Sequence, residues 1–236
     1  MSKAIPISLR DVSFFTRNDY NEVMSREYGM TDTQIAYDLQ KRLDNGTVIH
    51  VGWNRYSVAG TQMRYHYHYS ETAEEISQII SEQFVDVNYQ ITELVQLNEF
   101  MNHQVAHNTI FVFVENDMQD YVFGALHRKY PGKVMLRPSL EEYYRYVVDE
   151  MIIVMRLPSE SPKGFNQPWQ SRLEKILVDI LTDKLLSEIV PEGEKSAIYI
   201  GAINDYLVDR ETMTRYAKRK GAVTKLNRAI ERLEES

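Results

Sequence analysis

The spacing of apolar positions changes along the chain, and the changes mark out its organisation. Between Met30 and Val58, Ile35, Leu39 and Leu43 recur on one helical face behind Thr31 and Thr33, with Ala36 beside them. Asn45-Gly46 stops that helix, because glycine accepts the left-handed cap geometry that a β-carbon disfavours. Val48, Ile49 and Val51 then read as a strand, Gly52–Asn54 as a turn and Arg55–Val58 as the return strand. Upstream, Ser8–Arg17 and Asp19–Tyr28 are predicted helices, with Asn18 or Asp19 as N-cap and Gly29 as C-cap. Helix, tight stop and ribbon predict a winged helix-turn-helix over residues 1–60, whose helix enters the major groove while the wing lies on the backbone.

Around Ala59-Gly60-Thr61 the wing ends, and the second domain, 61–236, follows. RYHYHYS, Arg64–Ser70, alternates so that a strand would carry Tyr65, Tyr67 and Tyr69 on one face and His66 and His68 on the other. Glu71–Gln83 reads as a helix buried through Ala73, Ile76, Ile79, Ile80 and Phe84; Val85–Ile91 reads as a strand and Thr92–Asn102 as a helix. Thr109–Val114, TIFVFV, is a continuous apolar run, the pattern of a strand covered on both faces. Asp117–Tyr130 is a predicted helix, Pro131-Gly132 a turn and Lys133–Leu136 a strand. Ser139–Val147 is a helix opened by a Ser139/Glu142 capping box, and Met151–Leu157 another buried strand. Beyond the Pro/Gly-rich Ser159–Pro168 connection the strands stop. Pro168–Leu186, Glu194–Leu207, Asp209–Lys220 and Val223–Leu233 form a helical end over about 168–236. The predicted fold class is α/β (α+β overall): a winged helix-turn-helix, a small mixed α/β sheet domain and a C-terminal helical region.

Composition narrows the function classes. At 43% hydrophobic and 11% aromatic, the chain can pack a core. No apolar run approaches the roughly 20 residues that span a bilayer. The first residues lack the order of a signal peptide, so no membrane partner and a cytoplasmic location are expected. With no cysteine there is no disulfide, no thiolate zinc site and no Cys nucleophile. Net charge is −7, unevenly spread. Met1–Val58 balances seven Lys/Arg against seven Asp/Glu; Arg210–Arg232 carries eight Lys/Arg against two acids, leaving −13 on the rest, −11 of it on the middle, residues 59–209. An acidic body with a basic tail implies two partner surfaces.

Candidate chemistry is sparse. His103 and His107 have the spacing of a zinc-binding helix, but Gln104 stands where a metalloprotease needs its Glu base. His66 and His68 share a strand face without a third ligand at defined spacing, so no metal and no cofactor is assigned. Glu115 and Asp117 follow a buried strand, where magnesium-dependent nucleases place acids, yet no Lys follows two residues later. Asp179 and Asp183 read as a solvated helix edge. No phosphate loop, kinase signature or nucleophile elbow occurs, and the expectation is a non-catalytic protein.

For DNA the candidate contacts are Thr31, Thr33, Gln34 and Tyr37 on the early helix, Lys41 and Arg42 behind them, and Arg55 at the wing tip. The run YAKRKG adds Lys218, Arg219 and Lys220. Asp32 and Asp38 on the same early helix fit protein docking as the alternative use of such a module. One neutral module holds DNA poorly, so a homodimer or cooperative binding is expected.

The stretch DNGTVIHVGWNRYSV resembles the amino-terminal winged helix of AbiEi-type antitoxins, with Trp53-Asn54 where the family's turn carries another basic or Gly residue. LNEFMNHQ at Leu97–Gln104, IFVFVEND at Ile110–Asp117, LEKILVDIL at Leu173–Leu181 and YAKRKG at Tyr216–Gly221 are similar to one branch of that group. The resemblance implies an antitoxin of a type IV toxin–antitoxin (abortive infection) pair in phage defence. Such a protein represses its own operon at operator DNA and counters a nucleotidyltransferase-like toxin of the AbiEii type. The alternative is a magnesium-dependent nuclease-like DNA-processing enzyme targeted by its winged helix.

Overall fold

The computed structural model describes residues 4–10, 12, 14–52, 54–59 and 64–234. Trp53 and the Gly60-Thr61 pair, where the sequence predicts the end of the wing and the domain boundary, lie outside them. The fold is mixed α/β, with two small sheets and a helical C-terminal region. It forms two compact units: Met1–Tyr65 with Gly201–Arg210, and His66–Ile200 with Glu211–Ser236. Among the described residues no helix is long and apolar enough to cross a membrane.

The first unit begins with α1 (Ile7–Arg10), β1 (Phe15–Thr16) and α2 (Arg17–Tyr28). The predicted Ser8–Arg17 helix is therefore short, and its end is extended. Phe15 is buried and pairs with Tyr56, while Thr16 and Asp19 close a capping box that starts α2 ahead of the expected Asn18 or Asp19 cap. The Thr16 N–H donates to the Asp19 carboxylate at 2.7 Å, and the Thr16 hydroxyl accepts from Asp19 N–H at 3.1 Å. Gly29 ends α2 at φ 60°, where the missing β-carbon matters. Helix α3 (Asp32–Asp44) runs into an antiparallel ribbon, β2 (Val48–Gly52) and β3 (Arg55–Val58), and β1 adds to the far edge of β3. The unit closes over Leu9, Phe15, Tyr20, Met24, Ile35, Leu39 and Val48.

In the second unit α4 (Glu71–Gln83) is followed by β4 (Tyr89–Glu93), a 3₁₀ turn over Leu94–Glu99, and β5 (Thr109–Val114). Then come a 3₁₀ turn at Asn116–Met118, α5 (Gln119–Lys129), β6 (Val134–Leu136), α6 (Leu140–Tyr146) and β7 (Met151–Arg156). The sheet order is β4-β5-β7-β6, with β4 antiparallel and the rest parallel. Every residue of β5 is buried, as an unbroken apolar run requires. Ile110, Val112 and Val114 pack with Ile76 and Ile80 of α4 and with Val122 and Leu126 of α5. Phe113, which alternates with them, lies instead beneath the Lys175 ammonium. Burying each such side chain contributes about 1.5–3 kcal/mol.

Besides the first helix, further predicted segments differ from the structure, and the Val85–Ile91 strand begins only at Tyr89. Arg64–Ser70 is not a strand: Tyr67 and Tyr69 are half-buried and His66 and His68 exposed, as the alternation demands, but no ladder partner exists among the described residues. Side chains replace the ladder, since the Tyr69 hydroxyl donates to the Ile91 carbonyl at 3.1 Å and accepts from Ser171 N–H at 2.9 Å. Thr92–Asn102 is not one helix, because Thr92 and Glu93 complete β4. The Pro168–Leu186 helix is shorter, with α7 (Leu173–Thr182) and α8 (Leu186–Ile189) separated at Asp183. The residues before α7 cover the edge of β4, where Ile91 N–H donates to the Trp169 carbonyl at 2.7 Å, so that edge is not left open. Helices α9 (Glu192–Asp205), α10 (Arg210–Arg219) and α11 (Val223–Glu234) complete the chain.

Candidate functional site

Helix α3 has two unlike faces. Ile35 and Leu39 enter the core, and Asp38 and Arg42 are buried beside them. The Tyr20 hydroxyl donates to Asp38 Oδ2 at 2.6 Å, and Arg42 Nε donates to the same oxygen at 2.5 Å. Burial raises the Tyr20 hydroxyl well above its ordinary pKa, and its bond to the Asp38 carboxylate raises it further. The opposite face carries Thr33, Tyr37 and Lys41, four residues apart and all exposed; Tyr37 is 72% exposed. Thr31 and Gln34 are also exposed, but the Gln34 side-chain oxygen accepts from Thr31 N–H at 3.0 Å and so caps the helix.

This corrects several sequence-predicted DNA contacts. Arg42 is a core residue, held there because Asp38 needs its charge. Arg55 is engaged within the first unit: Nη1 donates to the Ile203 carbonyl at 2.8 Å and Nη2 to Asn204 Oδ1 at 3.0 Å. The basic run at Lys218, Arg219 and Lys220 is not one surface. Lys218 and Arg219 are exposed, Arg219 Nε donating to Ser159 Oγ at 2.5 Å, whereas Lys220 is turned inward and its Nζ donates to Asp179 Oδ1 at 2.6 Å.

Asp179 is likewise not on a solvated edge. It is 1% exposed, with Lys175 Nζ at 2.6 Å and the Tyr216 hydroxyl donating at 2.9 Å. Burial raises its carboxyl, and the Lys175 and Lys220 ammonium groups more than reverse this, holding it below the ordinary range. His103 and His107 are on no helix; His103 Nδ1 meets Glu194 Oε1 at 2.7 Å, and His107 lies 3.9 Å from Asp149. The Glu194 carboxyl is held low, first by His103 and then by the Asn102 N–H.

Outside the carboxyl ends of β5 and β7 lies a cavity of about 690 Å³, the position where open α/β sheets place ligands. Glu115, directly after β5, and Arg156, the last residue of β7, line it, as do Lys163, Trp169 and Arg219. The wall between them is the Ser159–Pro168 connection, folded close: a β-carbon on Gly164 would stand 2.3 Å from the Gln167 carbonyl oxygen. Gln90 also lines the cavity. Its amide donates to the Pro162 carbonyl at 2.7 Å, and its buried Oε1 has no partner among the described residues. Glu115 accepts from Asn88 at 3.2 Å, while Asp117, two residues on, is exposed and does not line the cavity. Sequence reading singled out only Glu115 and Arg219 of these residues. The end of the second parallel strand, at Arg156, is the signal that could have found a third.

Residues 34–236 match the profile of a family described as of unknown function, DUF6577. The chain belongs to the DUF6577 family. The DUF6577 region takes in Tyr37, Lys41, the ribbon and every residue of the cavity wall. No curated protein sequence matches the chain.

Proposed function

We propose that this DUF6577 member is a non-catalytic, operator-binding antitoxin, whose first unit works as a winged helix-turn-helix and whose partner is a nucleotidyltransferase-like toxin. The observation that carries the DNA half is the division of α3. Its inner face is locked by Tyr20, Asp38 and Arg42, and its outer face offers Thr33, Tyr37 and Lys41 in one line beside a two-stranded ribbon. A hydroxyl, a phenol and an ammonium at that spacing suit base edges and phosphates in a major groove. Because Arg42 and Arg55 are engaged within the fold, one copy brings little free charge, and operator binding requires two copies.

The toxin half is supported by the resemblance of the runs at Leu97–Gln104, Ile110–Asp117 and Leu173–Leu181 to AbiEi-type antitoxins, and by the acidic middle of the chain. Of the two acids on which the nuclease alternative rests, Glu115 lines the cavity and Asp117 does not. Co-expression with a nucleotidyltransferase-like product of the adjacent gene tests the pairing. Restored growth is expected; unrelieved toxicity, or an adjacent gene of another kind, contradicts it.

A further inference from the structure

We propose that the cavity at the carboxyl ends of β5 and β7 binds a nucleoside phosphate. This stands independently of operator binding, since it rests on residues of the second unit alone. Residues 59–209 carry a net −11, yet three cations from separate segments converge on one cavity: Arg156 from β7, Lys163 from the connection and Arg219 from α10. Arg219 has a carboxylate nearby, with Glu160 at 3.9 Å. Arg156 has none within ion-pair reach among the described residues, and Lys163 Nζ rests only on Asn88 Oδ1 at 3.2 Å. A guanidinium and an ammonium held this way are a phosphate site, one forked and one a point charge.

The rest of the wall suits a base. Trp169 is half-buried, steadied by the edge of Tyr69 with ring centroids 4.8 Å apart, and stands on the cavity. Glu115, which pairs with no cation among the described residues, and the unpartnered Gln90 Oε1 are acceptors for the amino and imino donors of a base edge. At about 690 Å³ the space suits one nucleotide. Phosphate at Arg156 and Lys163, base on Trp169 and base edge toward Glu115 use the groups of the cavity wall that have no ion-pair partner among the described residues.

The chain has two tryptophans, so a Trp53→Phe variant of the full chain makes Trp169 its only indole reporter. Titration with ADP, GDP and CDP is expected to quench its fluorescence saturably. In that background Arg156→Gln and Lys163→Gln each weaken the affinity by about tenfold or more. Lys225→Gln, which alters a basic residue outside this cavity, leaves it unchanged. Absence of saturation at millimolar nucleotide, or affinities indifferent to Arg156→Gln in a variant that melts like its parent, overturns the proposal. Inorganic phosphate or ribose 5-phosphate binding as tightly as the nucleotides also overturns it, because the base would then contribute nothing. Displacement by a 5′-phosphorylated tetranucleotide supports the site with a nucleic-acid end as source; failure to displace supports it with free nucleotide.

Discussion

Lys175 Nζ stands 2.6 Å from Asp179 Oδ2 and 3.5 Å from the centre of the Phe113 ring, and neither charged residue meets solvent. The pair lies one helical turn apart on α7, the most thoroughly buried helix of the second unit. Asp179 also takes Lys220 and the Tyr216 hydroxyl, so one carboxylate ties α7 to the end of α10. A buried pair of this kind contributes little when whole and is costly when broken.

Breaking it from the two sides has different consequences. Asp179→Asn leaves the Lys175 ammonium buried without its counter-charge and is expected to lower stability by about 3–5 kcal/mol. Lys175→Met leaves Asp179 still paired with Lys220, and the loss is smaller. Urea denaturation of both variants measures the order; equal losses would show that Lys220 does not compensate.

Acid dependence follows from the same carboxylate. Its pKa in the folded chain is below the unfolded value of about 3.9, so its stabilisation is present above that pH and fades as the pH falls through the folded value. The stability gap between the natural chain and Asp179→Asn should therefore be widest near neutrality and narrow below about pH 4. A gap that stays constant on acidification removes the ion pair as its cause.

Gly164 offers a purely steric test of the cavity wall. A β-carbon there collides with the Gln167 backbone oxygen and with Gln170, and backbone cannot move aside as a flexible side-chain end can. Gly164→Ala is expected to cost about 1–3 kcal/mol and to shift Trp169 emission, since Trp169 follows on the same segment. Thermal melts and emission spectra report both effects.

Much of the fold was legible in the chain. TIFVFV announced a strand covered on both faces, and Ser139 with Glu142 announced α6, because apolar continuity and capping boxes are local signals. The shortened α7 was not legible: Pro168–Arg172 is drawn away from helix by the open edge of β4, which only the assembled sheet reveals. The site was half legible. Tyr37 and Lys41 are exposed where helical periodicity puts them, but adjacent Arg42 is turned inward by Asp38 and Tyr20, a tertiary pairing no charge count discloses. Asp179 misled for the same reason, since its partners Lys220 and Tyr216 lie about 40 positions away.

That difference between neighbours separates folding from binding. Arg42→Ala strands the Asp38 carboxylate in the core and should lower the stability of the first unit by about 3–5 kcal/mol. Lys41→Ala, on the exposed face, should change it by no more than about 0.5 kcal/mol. Calorimetry resolves the two; a destabilised Lys41→Ala chain would place that side chain in the fold and not on a free surface.

The central claim is that α3 reads operator DNA through its outer line. Fluorescence anisotropy with the DNA upstream of the chain's own gene, titrated at several salt concentrations, measures it. Affinity is expected to fall linearly on a log–log salt plot, and Tyr37→Ala with Lys41→Ala to weaken binding by about tenfold or more without lowering the melting temperature. Unchanged affinity in that double variant, or no binding of the natural chain to the upstream DNA, would contradict the account.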